Sequence, residues 1–244
     1  MEPFAGTGAL SFACADKVDQ IILNDSNLDL MTMYLAVKDN VYSFIKLSRE
    51  YFSEDYNTPE AYYRIRNCFN TNKRDYLNVQ IGAAFLYLNR FGYNGLCRYN
   101  KKGEFNVPFR HNHKLPNFPE TEIRDIAEKL KKTNLMCLDF YNLVGFTTSD
   151  FVVYLDPPYV PLSKTSNFTS YYGNFDMKDQ EFVAQFARNA QINGALVLIS
   201  NHDLPVTREL YHDASEIITT DARRMISCKG DKREVVKELI AIYR

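Results

Sequence analysis

The sequence predicts an α/β fold, and three observations carry that expectation. Short apolar runs alternate with stretches of helical periodicity along most of the chain. Most of those runs lack polar alternation, as strands of a parallel sheet covered on both faces do. The stretch from Thr219 to Glu238 has no apolar helical period and contains Gly230, so the last strand should return as an antiparallel hairpin and not through a helical crossover.

In chain order, strands are expected at Ile21 to Leu23, Leu135 to Leu138, Phe151 to Leu155, Ala195 to Ile199, Glu216 to Thr219 and Leu239 to Tyr243. Helices are expected at Leu28 to Ala36, around Ile123, Ile126, Ala127 and Leu130, and around Phe182, Val183, Phe186, Ala187 and Ala190. The alternation breaks between Val37 and Pro119. There the pattern reads as helices (Ala61, Tyr62, Ile65, Phe69, then Ile81, Ala84, Phe85, Leu88) followed by a polar, aromatic loop from Gly92 to Pro119. A block of about eighty residues without a buried strand is too long for a connection. The expected organisation is therefore a discontinuous domain of residues 1–36 and 120–244, with an inserted helical subdomain at 37–119.

Composition narrows the class. With 244 residues, 45% hydrophobic and 24% charged, the chain can bury a full core, and disordered or fibrous readings fail. No apolar run approaches the roughly 18 residues that cross a bilayer, and Glu2 and Pro3 stand where a secretory signal would carry its basic residues. The cysteines at 14, 68, 97, 137 and 228 are scattered without a close pair, which argues for a reducing cytoplasm and against structural zinc. His111 and His113 lack a third ligand nearby, so no metal is expected.

The formal net charge of −1 conceals two basic islands. Between Arg98 and Lys114 five bases stand against Glu104, and between Ala222 and Lys237 six stand against Asp231 and Glu234, each island netting +4. The rest of the chain carries −9. Such asymmetry fits a polyanion-binding face, or else two solvated loops.

Three motifs suggest chemistry. At the start, Glu2-Pro3-Phe4-Ala5-Gly6-Thr7-Gly8 leads into an apolar helix pattern, a glycine-rich turn that lets the backbone approach a ligand. Such a turn normally follows a buried strand, and only Met1 to Pro3 precede it here, so the first strand is a stub or its natural beginning is absent. Asp25 follows the first strand run, 17 residues after Gly8, where an acid can accept ribose hydroxyls; alternatively Asp25 or Ser26 caps the next helix. The sharpest motif is Asp156-Pro157-Pro158-Tyr159 directly after Phe151 to Leu155. Its prolines stiffen the strand exit and fix two acceptors, the Asp156 side chain and the Pro157 carbonyl, beside an aromatic ring. That set suits a planar substrate bearing an exocyclic NH₂, with Tyr159 stacking on its face.

Together these elements resemble the S-adenosylmethionine-dependent amino-methyltransferases. The run from Leu86 to Asn100, with Arg90-Phe91-Gly92-Tyr93-Asn94-Gly95-Leu96-Cys97-Arg98 at its centre, and the run Gly103 to Phe109 narrow the resemblance to the Dam-type DNA adenine-N6 methyltransferases. Pro161 to Ser163, Asn167 to Tyr171 and Leu198 to Asp203 fit the same family, so the likeness extends from Glu2 to Tyr243.

The resemblance implies a Rossmann-like S-adenosylmethionine-dependent sheet, with the antiparallel final hairpin and an insert that recognises DNA. It assigns the cofactor's amino acid part to Phe4, Gly6 and Gly8, its ribose to Asp25, and its adenine to Asp139 and Phe140, with Asp156 also beside it. Methyl transfer to adenine N6 in double-stranded DNA would run through Asp156, Pro157, Pro158 and Tyr159 on a base flipped out of the duplex. No cysteine follows a proline, so the covalent cytosine route finds no support. Phe168, Tyr171 and Tyr172 would lie on a loop near Tyr159. The family reads GATC: Arg98 matches the guanine contact, Tyr93, Asn94 and Leu96 the residues beside the flipped base, Pro108 a contact to a thymine methyl, Asn106 a further DNA-binding residue, and Arg110 a phosphate contact. A cytoplasmic, bacterial or phage-encoded monomer is implied, with no membrane and no metal. Family members carry a Trp- and Gly-rich segment before the first strand, which this chain lacks; an inactive, GATC-binding remnant is the alternative reading. RNA and protein-amide methyltransferases fit less well, because Asp156 stands where the protein-glutamine enzymes carry Asn.

Overall fold

The computed structural model describes residues 1–72, 78–111, 114–162, 175–223 and 235–244. They form two compact units, Gly6–Cys137 and Met1–Ala5 with Leu138–Arg244.

In the unit Gly6–Cys137, strands β1 (Ile21–Asn24) and β2 (Thr133–Met136) pair in parallel, Ile21 opposite Thr133 and Asn24 opposite Met136. Strand β2 begins and ends two residues earlier than its apolar run suggests. Thr133 is buried with its hydroxyl on the Lys129 carbonyl, so a polar residue opens the strand, while Leu138 lies 39% exposed. The helices are α1 (Ala9–Ala13), α2 (Leu28–Glu50), α3 (Pro59–Asn72), α4 (Asn78–Phe91) and α5 (Glu120–Leu130). Helix α2 is capped by Asn27, whose side chain accepts from the backbone N–H groups of Asp29 and Leu30. It continues past Ala36 to Glu50 through a kink at Asn40 (φ −154°, ψ 77°), whose side chain re-caps the second half by accepting from Ser43 N.

Helices α3 and α4 bury Tyr62, Phe69, Phe85, Leu88 and Phe91 against Phe105, Val107 and Phe109. The stretch from Gly92 onward, read from sequence as a loop, is partly extended: Tyr99 bridges Phe105 and Gly92 bridges Phe109, both antiparallel. Period-two alternation sends Phe105, Val107 and Phe109 into this core, worth about 1.5–3 kcal/mol per large side chain. Its edge is satisfied by side chains: Tyr62 and Arg66 donate to the Val107 carbonyl, and Asn70 bonds both backbone groups of Phe105.

In the other unit the sheet runs β3 (Val152–Leu155), β4 (Leu196–His202), β6 (Val235–Tyr243), β5 (Glu216–Arg223). The β3–β4 pair is parallel; β4–β6 and β5–β6 are antiparallel, as the missing helical period before the last strand predicts. Met1 lies beside β3, its nitrogen bonded to the Val152 carbonyl and its carbonyl to Tyr154 N. Helix α6 (Met177–Ile192) is held by a capping box of Asp176 and Asp179, and α7 (Pro205–Leu210) follows β4. No helix among the described residues is long and apolar enough to cross a membrane.

Candidate active site

The exit of β3 carries the strongest constellation. Asp156 is exposed, and its Oδ1 accepts the Ser200 hydroxyl at 2.7 Å; Ser200 in turn receives the Tyr154 hydroxyl at 3.0 Å. Buried side chains hold the backbone that follows. Gln180 Nε2 donates to the Pro158 carbonyl (2.7 Å), Asn201 Oδ1 accepts Val160 N (3.0 Å), and His202 Nδ1 lies 2.7 Å from the Val160 carbonyl. Gln180 and Asn201 are fully buried and bonded to each other at 3.0 Å. Among the described residues no donor reaches the Pro157 carbonyl next to Asp156. The half-buried Tyr159 ring meets His202 edge to face, 4.9 Å between centroids. Burial, with Asp156 nearby, raises the Tyr159 hydroxyl well above the usual tyrosine range. Two acceptors and an oriented ring are thus held on a rigid strand exit.

The same unit gathers Phe4 and Phe140, rings 4.8 Å apart, with Phe175 and Phe182 against Phe140. Asp139 is exposed and caps the short 3₁₀ turn Phe140–Phe146 by accepting from Tyr141 N. Phe168, Tyr171 and Tyr172 lie outside the described residues.

The unit Gly6–Cys137 holds the glycine turn. Gly6 and Gly8 both adopt left-handed backbone, φ 48° and 62°. They differ in surroundings: a Cβ on Gly8 would sit 2.7 Å from the Phe12 ring, whereas one on Gly6 would meet nothing within 4 Å. Asp25 joins the turn to the β1 exit, Oδ2 accepting Gly6 N and Oδ1 accepting Asn27 N, each at 2.9 Å. Burial raises its pKa, partly offset by those two N–H groups. The helix cap is Asn27, not Asp25 or Ser26. The open space beside Gly6 and the carboxylate behind it fit a ligand with a polar, hydroxyl-bearing part.

The residues from Tyr93 to Arg110 form the candidate nucleic-acid interface. A turn at Tyr93–Leu96 projects Asn94 (φ 53°) and Gly95 (φ 62°), closed by Leu96 N on the Tyr93 carbonyl. Arg98 is exposed; its Nε donates to Asn106 Oδ1 at 2.7 Å and its Nη2 to the Asn106 carbonyl at 3.1 Å. Pro108 is exposed on the same outward alternation. Arg110 sits differently: its guanidinium is bonded to Asn57 and the Lys114 carbonyl and stacks on Phe91. A concavity of about 380 Å³ is lined by Arg90, Tyr93, Asn94, Arg110 and His111. Most of the second basic island lies outside the described residues. Among the described residues no three His, Cys, Asp or Glu side chains gather as a metal site.

Sequence reasoning assigned no role to Ser200, Gln180, Asn201 or His202. Gln180 left a signal, being a polar residue on the same face of α6 as the buried Val183, Ala184 and Ala187. The polar end of β4 left no periodic signal, only its likeness to the family motif, because buried strands are read by their apolar residues.

Comparison with known proteins gives the family. The family model of D12 class N6 adenine-specific DNA methyltransferases matches residues 1–226. A DNA adenine methylase of Salmonella typhimurium is 43% identical over the full chain, which covers 86% of that relative. Those of Haemophilus influenzae and Escherichia coli K12 are 42% and 41% identical, again over the full chain and 84% and 86% of the relatives. The chain belongs to the D12 class of N6 adenine-specific DNA methyltransferases.

Proposed function

We propose that this adenine-specific DNA methyltransferase transfers a methyl group from S-adenosylmethionine to adenine N6 within GATC of double-stranded DNA, on a base flipped into the β3 exit. The observation that carries the reading is the immobilised Asp156–Tyr159 segment, with an accepting carboxylate, an accepting carbonyl and an oriented ring side by side.

Adenine N6 is a poor nucleophile because its lone pair is delocalised into the ring. Asp156 and the Pro157 carbonyl accept its two hydrogens, which favours a pyramidal nitrogen with its lone pair directed outward. When bound, S-adenosylmethionine supplies an electrophilic methyl: the N6 lone pair forms the new N–C bond while the C–S bond breaks, leaving a neutral thioether. The surplus N6 proton passes to Asp156 and on to solvent. Tyr159 stacks on the base, offsetting part of the few kcal/mol that flipping costs. Gly6, Gly8 and Asp25, together with Phe4, Asp139, Phe140 and Asp156, are assigned to the cofactor.

Residues 37–119 are read as the target-recognition insert in a Rossmann-like methyltransferase domain of residues 1–36 and 120–244. Within it Arg98 reads guanine, its Nε and one Nη2 hydrogen spent on Asn106, with Nη1 and the second Nη2 hydrogen left for a bidentate contact to O6 and N7. Tyr93, Asn94 and Leu96 press beside the flipped base. Asn106 and Pro108 face the same side, and Arg110 shapes the concavity for a phosphate.

Expression in a host without GATC methylation tests the reading. Host DNA should become cleavable by an endonuclease that requires methylated GATC. GATC binding without methylation would point to a catalytically inactive remnant, and no preference for GATC at all would overturn the proposal.

A further inference from the structure

Tyr99 lies between the guanine-reading Arg98 and the turn at Asn100, but alternation sends its side chain the opposite way. Its ring packs edge to face on Phe105, 5.7 Å between centroids, at the core of helices α3 and α4. Its hydroxyl reaches beyond that core to the start of α2, donating to Asp29 Oδ2 at 2.9 Å and lying 3.2 Å from Asn27 Oδ1. Asn27 and Asp29 are each only 3% exposed. Cys97, two residues earlier, accepts from Asn27 Nδ2 at 3.4 Å, so the hairpin touches this helix start twice.

The other side of Asn27 faces the glycine turn. Its backbone N–H donates to Asp25 Oδ1, and Asp25 Oδ2 holds Gly6 N. A continuous chain of short bonds therefore runs from Gly6 through Asp25, Asn27 and Tyr99 to the backbone of Arg98, all inside one compact unit. Packing alone does not need the Tyr99 oxygen, because a phenylalanine would keep the ring contact. Burial and the adjacent Asp29 push the hydroxyl far above the usual tyrosine range, so it remains a donor at any working pH.

We infer that Tyr99 is a positioning residue that couples the cofactor turn to the DNA reader: its hydroxyl, bonded to Asn27 and Asp29, sets the guanine-reading hairpin on the segment that carries Asp25. This rests on the function proposed above. A ligand that orders Asp25 and the Gly6 turn orders Asn27, and through Tyr99 the hairpin, so cofactor and DNA should each tighten the other's binding by the same factor.

The test is a calorimetric titration of S-adenosylhomocysteine with and without a saturating GATC duplex, for the wild type and Tyr99→Phe. In the wild type the duplex should tighten binding by about fivefold or more, within the usual range for coupled sites. In Tyr99→Phe each ligand alone should bind within about twofold of wild type, while the coupling factor falls toward one. Asp29→Ala, which removes the partner from the opposite side, should reduce coupling in the same direction and covers the case in which Tyr99→Phe folds poorly. Unchanged coupling in Tyr99→Phe, or an equal weakening of both ligands with coupling intact, overturns the inference and leaves the functional reading standing. A wild-type protein that binds the cofactor product but shows no GATC preference overturns both.

Discussion

Arg98 and Asn106 face each other across the two arms of one hairpin, side chain to side chain at 2.7 Å and side chain to backbone at 3.1 Å. The pairing orients a long, flexible cation before any ligand arrives and leaves its outer edge free. Arg98→Ala should therefore cost about 1–3 kcal/mol of discrimination between GATC and a duplex altered at guanine. Asn106→Ala should relax the same position by a smaller amount, because it loosens the arginine without removing it. Competition binding with single-base-substituted duplexes measures both, and equal losses at every base position would contradict the assignment.

Asp156 and Ser200 allow a second separation. Removing the acceptor in Asp156→Ala should lower the single-turnover methylation rate by on the order of 10²–10³. Ser200→Ala removes one hydroxyl donor from a solvent-exposed carboxylate, about 1 kcal/mol, and should slow the reaction only roughly fivefold. A rate for Asp156→Ala close to wild type would show that the β3 exit does not carry the chemistry.

The two glycines of the turn should respond differently. A side chain at Gly8 meets Phe12 at 2.7 Å in a left-handed backbone, so Gly8→Ala should lower the melting temperature, by the equivalent of about 1–3 kcal/mol. A side chain at Gly6 has room, so Gly6→Ala should cost stability only for its backbone, about 1–2 kcal/mol, yet weaken cofactor binding by pointing into the ligand's space. Thermal melts beside titrations of S-adenosylhomocysteine distinguish the two.

Asp203 supplies a pH prediction. Arg208 donates to both its oxygens, at 2.6 and 2.9 Å, and holds the carboxyl below its ordinary value against the opposing effect of burial. A depressed carboxylate stabilises the fold above its unfolded pKa of about 3.9, and that stabilisation is lost as pH falls through the lower folded value. Asp203→Asn should thus melt below wild type at neutral pH, with the difference shrinking progressively below about pH 4. A difference that is constant from pH 7 to pH 3 would rule out the ion pair as its source.

Much of the architecture was legible along the chain, because each strand is marked by a short apolar run and each long helix by a 3.6 period. Legibility ended where polar residues are buried. The run Ala195 to Ile199 stops at its last apolar residue, yet β4 continues through Ser200, Asn201 and His202, whose side chains satisfy the β3 exit. The stretch containing Phe105, Val107 and Phe109 has a clear two-residue period, but Gly103 and Pro108 disguise it as a loop. The sequence offers Arg110 as a phosphate contact, and only the structure shows its guanidinium held by Asn57 and stacked on Phe91.

By itself the sequence determined the α/β class, the antiparallel end of the sheet, the family, and the residue types that the chemistry uses. Those follow from local pattern and from motifs whose spacing the chain writes out directly. Only the tertiary structure decided which side chains hold them: Ser200, Gln180 and Asn201 behind Asp156 to Tyr159, Asn106 beside Arg98, and Tyr99 between the hairpin and Asn27. These partners lie 8 to 72 residues away in sequence. A hydrogen bond between such positions leaves no periodic trace, because its geometry exists only after the core has brought the two segments together.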